Sequence, residues 1–344
     1  MSAETREPND QPSMIDVARL AGVSTATVSR VLSSSGANVR PETQERVMRA
    51  VAMTGYHPNR LARNLRERSA RILALVVSDI TNPFFTSILR GFDDRARAAG
   101  YSVIVTNTDE LVELESQRLL DLVSERVAGI VLASTGEASD GLAQAVRSGI
   151  PIVALDRRIK AGRFDMVTTD GIAAASDAVE RLLVAGHRRI AFIGGPPEIS
   201  AMTERREGFE AALRGKGLRP DEVLIRFGDL REDSGSSALS ELLDAPDPPT
   251  AVLVASNLMA IGALKAIRAR GLTVPDDISV ICFDDVVGGE LIGPGIAAVL
   301  QPTYEMGAAA AGLLLRRIAD PSAPIEESIL PTAMVPRGSI GAVA

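Results

Sequence analysis

The residues with the clearest chemical potential fall in two sets. The first is Ser24, Thr25, Ala26, Thr27, Ser29 and Arg30, a run of small, hydroxylic and cationic side chains inside the stretch from Ser13 to Leu32. Short hydroxyls and methyls can meet thymine methyl groups, and an arginine can fork onto guanine, when such a run lies on a helix in a major groove. The second set is scattered through the remainder: Asn82 with Phe84 and Phe85, then Asp156-Arg157, Arg205, Ser256-Asn257, Asp284 and Gln301. Carboxylates, guanidinium groups and amides beside aromatic faces match a polyhydroxylated ligand, which needs paired acceptors and donors for its hydroxyls and a ring against its C–H face.

The elements that must carry the first set are two short helices joined at Gly22. Ser13 and Asp16 form an acidic version of the capping box, and the first helix runs to Ala21. Ser24 is placed to cap a second helix from Thr25 to Leu32, with Val28, Val31 and Leu32 expected to face inward together with Val17, Leu20 and Val23. This is a helix-turn-helix pattern, which also occurs in plain helical packing. A third helix follows from Pro41 to Thr54, with Val47, Met48, Val51 and Ala52 expected inside, and Gly55 stops it. The segment from Tyr56 to Arg68 holds four arginines and is too short and charged to be a stable isolated helix; it is either a solvated linker or a segment that folds on binding.

Charge supports the nucleic-acid reading. Residues 13–70 hold nine arginines and four carboxylates, giving +5, while the 344-residue chain is −7, so the rest carries about −12. A basic end on an acidic body confines phosphate contact to that end. Residues 1–12 are polar and read as a disordered leader. One cysteine, Cys282, cannot make an internal disulfide, and neither a secretion signal nor a long apolar span is present, so a cytoplasmic protein is expected.

Beyond Ala70 short apolar runs alternate with helical patterns, the mark of parallel-sheet α/β lobes. Strands are expected at 72–77, 102–106, 129–132, 152–155, 189–193, 222–226, 251–254 and 279–283, with helices at 84–99 and 172–185 among those between them. Arg71 to Val76 and Arg189 to Ile193 read as equivalent first strands of two units, a weak internal repeat. Ligands of open parallel sheets sit at the carboxyl ends of strands, and the second residue set falls in those loops.

From Ser13 to about Arg337 the chain resembles the LacI/GalR family of transcriptional regulators. The resemblance rests on Asp16-Val17-Ala18, Ala21-Gly22-Val23-Ser24, Thr27-Val28-Ser29-Arg30-Val31, Gly55-Tyr56, Pro58-Asn59 and Ala62 with Leu65. It implies an all-α headpiece at 13–58, a hinge helix and linker at 59–70, and a bilobal periplasmic-binding-protein-like effector and dimerisation core at 71–344. The N-lobe is then 71–169 with 301–329, and the C-lobe 170–300 with 330–340. It also implies base or phosphate contact by the Ser24–Arg30 set, with hinge contacts from Asn59, Ala62 and Leu65, the last wedged into the minor groove. The second set is implied to bind effector as in the ribose-type branch, except that Ser256 replaces an asparagine and Arg40 replaces a serine that caps the third helix.

The expected function is therefore a sequence-specific DNA-binding repressor, a homodimer on a near-palindromic double-stranded operator, released by a monosaccharide or small polyol. A phosphorylated metabolite, a corepressor or a protein partner is the alternative signal. The chain ends soon after the last expected strand without a heptad tail, which favours a dimer over a tetramer. Catalysis is not expected: His57 and His187 are the only histidines, and no nucleophile elbow, phosphate loop, dinucleotide fingerprint or Cys/His cluster is present, so no cofactor or metal is implied. His187 reads as a helix-end structural residue. A transport-type sugar-binding protein would lack the headpiece and carry a secretion signal.

Overall fold

The computed structural model describes residues 12–32, 39–56, 71–291 and 293–343. Asn59, Ala62 and Leu65, with the hinge and leader, lie outside the described residues. The chain divides into two units between Ala70 and Arg71.

The first unit holds α1 (Met14–Ala21), α2 (Thr25–Leu32) and α3 (Pro41–Thr54). The capping box at its start is complete: the Ser13 hydroxyl accepts from the Asp16 amide, and Asp16 Oδ2 accepts from the Ser13 amide at 3.0 Å. Gly22 ends α1 in the left-handed conformation (φ 62°), which allows the tight turn into α2. The Thr27 amide donates to Ser24 Oγ at 3.2 Å, so Ser24 caps α2. Val17, Ala18, Ala21, Val28, Val47, Ala50 and Tyr56 make the core. Leu20 and Met48, expected inside, are instead about half exposed, at 51% and 54%, and Ala52, also expected inside, is exposed. Three short helices have little interior, and the small Ala21 and Ala50 take the central places. No side chain caps α3, where Arg40 precedes Pro41; Arg40 offers only its carbonyl, to Thr43 and Gln44.

The second unit contains two six-stranded sheets with one common plan. In the N-lobe β1 (Ile72–Val77), β2 (Ser102–Asn107), β3 (Gly129–Leu132), β4 (Ile152–Leu155), β5 (Asp165–Thr169) and β11 (Glu327–Leu330) lie in the order β11-β5-β4-β3-β1-β2. In the C-lobe β6 (Ile190–Gly194), β7 (Ile225–Phe227), β8 (Ala251–Val254), β9 (Ser279–Phe283), β10 (Ala297–Leu300) and β12 (Ala333–Val335) lie in the order β12-β10-β9-β8-β6-β7. Strands β1 and β6 hold equivalent places, so the weak repeat in sequence is a repeat in topology. All pairings are parallel except that of β10 with β12. The strand expected at 222–226 is a 3-10 turn at Glu222–Leu224 followed by the short edge strand β7, because only Ile225 of that strand reaches the core.

Helices α4 (Pro83–Ala98), α5 (Val112–Ser124), α6 (Asp140–Arg147) and α11 (Thr303–Ala319) cover the N-lobe sheet; α7 (Gly171–Val184), α8 (Ser200–Gly215), α9 (Glu232–Leu243) and α10 (Asn257–Ala269) cover the C-lobe sheet. Glycines allow α4 and α11 to touch backbone to backbone. A Cβ on Gly307 would lie 1.9 Å from the Ile88 carbonyl oxygen, and one on Gly91 2.0 Å from that of Tyr304. The chain passes between the lobes near residues 170, 301 and 331. No helix among the described residues is long and apolar enough to cross a membrane.

Candidate functional site

In the first unit, Ser24, Thr25, Ala26 and Arg30 are exposed, Thr27 and Ser29 half-buried, and Val28 fully buried beneath them. The Ser24 and Thr27 hydroxyls are paired at 2.9 Å. The turn that aims this helix is held by Arg46 of α3, which donates to the Ala21 carbonyl at 2.8 Å and to that of Gly22 at 3.2 Å. Sequence reading missed Arg46; its contacts lie 25 residues away.

In the second unit a cleft of about 490 Å³, mouth included, opens between the lobes. Nine of the ten expected residues line it: Asn82, Phe84, Phe85, Asp156, Arg157, Arg205, Ser256, Asn257 and Asp284. Gln301 instead stands behind Asp284, facing an adjoining opening. Its Nε2 donates to Asp284 Oδ1 at 3.0 Å and its Oε1 accepts from Thr169 Oγ1 at 2.8 Å, so both ends of the amide are occupied.

Each polar group arrives from the carboxyl end of a strand or from the helix that follows. Asn82 caps α4, accepting from the Phe84 amide at 3.0 Å, and its Oδ1 also accepts from Asn257 Nδ2 of the other lobe at 3.0 Å. The Phe84 and Phe85 rings meet edge to face at 5.0 Å, presenting an apolar wall. Asp156 follows β4 with φ 62° and Asp284 follows β9 with φ 60°. Left-handed backbone at a non-glycine residue costs about 1–3 kcal/mol and persists where the surroundings over-determine it. Leu230, also at the cleft wall, has φ 68°.

Several polar groups of the cleft are buried and incompletely hydrogen-bonded among the described residues. Asp156 is 7% exposed, and among the described residues nothing donates a hydrogen bond to its carboxylate; Arg157 Nε stands 3.8 Å away. Burial pushes its carboxyl above the usual range against the opposing charges of Arg205 and Arg157. Burial likewise pushes Asp284 up to about 6, opposed by the Arg205 charge and the Gln301 hydrogen bond. Arg205 stacks over Phe283, 4.2 Å from its centroid, and donates to the Ala255 carbonyl at 2.6 Å. Yet Arg205 Nε, Arg157 Nε and Ser256 Oγ are buried without a hydrogen-bond partner among the described residues.

Glu110 was not singled out in the sequence. It grips Arg157 in a two-point pair at 2.6 and 2.8 Å and lines the cleft with Asp79, Met202, Asp229, Leu230 and Arg231. Its position after β2 obeys the same strand-end rule as the other residues and was the available signal. The buried Glu115 accepts from the Thr135 amide at 2.7 Å and Ser134 Oγ at 3.3 Å, ordering the loop whose Ser134 carbonyl accepts from Arg157. His187 is 3% exposed and bonds Thr250, Ser279 and the Gly341 carbonyl; its ring joins the C-terminal segment to the sheet rather than capping a helix. No group of His, Cys, Asp and Glu among the described residues could hold a metal ion.

A helix-turn-helix unit joined to a two-lobed small-molecule-binding core defines a ligand-responsive DNA-binding regulator. The model for bacterial regulatory proteins of the lacI family matches residues 13–59, and that for a periplasmic binding protein-like domain matches 179–340. The HTH-type transcriptional regulator CelR of Thermobifida fusca is 36% identical over 97% of this chain and 99% of its own. Among solved structures, a complex of CelR with cellobiose is 35% identical with a TM-score of 0.73, covering 95% of this chain and 99% of that one. The Lac repressor dimer bound to operator and the anti-inducer ONPF is 28% identical with a TM-score of 0.85, covering 97% of this chain and 100% of that one. The chain belongs to the LacI family, whose members are DNA-binding transcription regulators and not enzymes.

Proposed function

We propose that this regulator is a homodimeric repressor that binds a near-palindromic operator through α2 and the segment carrying Asn59, Ala62 and Leu65, and is released when a neutral sugar or polyol occupies the cleft. The observation that carries the effector class is the convergence on one cavity of a buried Asp156 carboxylate that accepts no hydrogen bond among the described residues with Arg157 Nε, Arg205 Nε and Ser256 Oγ, which make none. Hydroxyl groups both donate and accept, so a polyol satisfies carboxylates and guanidinium groups together, with its C–H face on Phe84 and Phe85. Gln301 positions Asp284 in this reading and does not touch the ligand.

Charge weighs against a phosphorylated signal. Five carboxylates (Asp79, Glu110, Asp156, Asp229, Asp284) line the cleft against three arginines, and Arg157 is already neutralised by Glu110. The dimer and operator readings are supported by the likeness to the Lac repressor dimer on its operator. Release of operator requires tighter binding of effector to the DNA-incompetent state, by roughly 1–3 kcal/mol in such couplings.

The test is calorimetric unfolding of the full chain against pentoses, hexoses, cellobiose, sugar alcohols and sugar phosphates. A bound sugar at a hundredfold over its dissociation constant adds about 2.7 kcal/mol of stability. A shift with a free sugar or polyol supports the reading, whereas a shift confined to sugar phosphates overturns the effector class. Operator retardation with and without the hit then assigns inducer or corepressor.

A further inference from the structure

Three successive residues at the end of β4 point different ways. Asp156 and Arg157 line the cleft, while Arg158 turns away from it and is about half exposed. The Arg158 amide donates to Ser200 Oγ at 2.8 Å, at the first residue of α8 in the other lobe. Its guanidinium is held within its own lobe by Glu327 of β11 at 2.7 Å and reaches Glu204 of α8 at 3.4 Å. None of Arg158, Ser200 and Glu204 lines the cavity, but the two segments that bear them also deliver Asp156, Arg157, Met202 and Arg205 into it. A third crossing lies close by, where a Cβ on Gly136 would come within 2.8 Å of the Glu198 carbonyl oxygen.

We propose that Arg158, Ser200 and Glu204 form a latch between the lobes, outside the cavity, that sets the fraction of molecules with the cleft closed and thereby the effector affinity. They are positioning residues. Arg158, anchored by Glu327, offers α8 a fixed hydrogen-bond donor and a fixed charge, and α8 meets both with Ser200 and Glu204 one helical turn apart. A further interlobe bond, Asn82 to Asn257, lies in the cavity wall, where an entering hydroxyl competes with it. The latch meets no such competition, so it acts with the cleft empty or filled. Apparent affinity scales with the closed fraction, which makes the latch a gain control on the sensor. The inference concerns regulation of the cleft proposed above as the effector site.

Pulsed electron paramagnetic resonance on the full chain tests it without any sugar. Spin labels replace the exposed Glu113 and Asp233, which lie in the first turns of α5 and α9, one in each lobe. Cys282 is buried and burial pushes its thiol up, so it stays unlabelled. With labelled chain diluted into unlabelled chain, so that distances within one subunit are read, the wild-type background is expected to give one narrow distance distribution. Arg158→Ala combined with Ser200→Ala is expected to raise the open-to-closed ratio about tenfold and add a longer-distance population, from the loss of one exposed ion pair and one hydrogen bond. Arg158→Lys, which keeps the charge and the amide, is expected to restore the narrow distribution. Arg226→Ala, which breaks a surface ion pair within the C-lobe, is expected to change nothing. An unchanged distribution in the double variant, or equal broadening in Arg226→Ala, overturns the latch. Since no ligand is present, that failure is distinct from failure of the sugar panel.

Discussion

Replacing Asp284 by asparagine should stabilise the protein above neutral pH while destroying its response to effector. Burial raises this carboxyl from 3.8 to about 6, despite the Arg205 charge and the Gln301 hydrogen bond. The folded state therefore holds a proton that the unfolded chain releases between pH 4 and 6. The contribution of Asp284 to stability is full below pH 4 and is lost as pH rises through 6. Carrying the charge at pH 8 costs at most about 3 kcal/mol, and about 2 kcal/mol after allowance for solvent reaching the residue through the cleft. Asp284→Asn keeps an oxygen for Gln301 and removes the charge. Calorimetry of the full chain, following the transition of residues 71–344, should place the variant within about 2 °C of wild type at pH 4 and roughly 4–8 °C above it at pH 8. A difference that does not change with pH, or that shrinks as pH rises, refutes the reasoning.

Asp165 is 1% exposed in its side chain and bonds Arg316 at 3.0 Å, Arg317 at 2.8 Å and the Glu326 amide at 2.9 Å. Burial alone would raise its carboxyl, but these partners hold it below the usual range; Asp165→Ala should cost about 3–5 kcal/mol in urea unfolding. Burial lowers the His187 imidazole against the pull of the Gly341 carbonyl. Its contribution is present above about pH 6.5 and lost as pH falls below it, so the Gly341 and Val343 amides should exchange hydrogen faster at pH 5 than at pH 7 after correction for intrinsic rates. Leu65→Ala should weaken retardation of the specific operator more than of random duplex, and equal weakening of both would remove Leu65 from the groove.

The headpiece was legible because caps and turns are local. Ser13, Asp16, Gly22 and Ser24 each act on a partner only three or four residues away, and each does what its type predicts. Leu20 and Met48 were misplaced because an apolar residue on a short helix has more than one face to choose from, and tertiary contact chooses. Most strands buried on both faces gave apolar runs that could be read directly, but β5, which carries Asp165, Thr168 and Thr169, and the short, alanine-rich β10 were not among the expected strands, nor were the partly exposed β11 and β12, and the edge strand β7 was read as longer than it is. The cleft residues were readable as types in strand-end loops, since parallel sheets bring those ends together. What no local pattern carries is pairing across distance: Glu110 with Arg157, 47 residues apart, or Arg158 with Glu327, 169 apart. Gln301 shows the same limit, its direction being set by Thr169, 132 residues away, and by Asp284.

The pieces of the two lobes are not contiguous, and this bears on synthesis. The C-lobe sheet has five of its six strands between Ile190 and Leu300, while the N-lobe needs α11 and β11 from beyond residue 302. Leu73, Leu75, Val131, Val153 and Val167 pack in one cluster with Met306, Ala310 and Leu314 of α11. At about 5–20 residues per second, that sheet face waits roughly 8–30 s on the ribosome for its cover after β5 has emerged. The first lobe translated thus stays open until the other lobe is nearly whole, and its apolar face is the part of the nascent chain that most needs protection from aggregation.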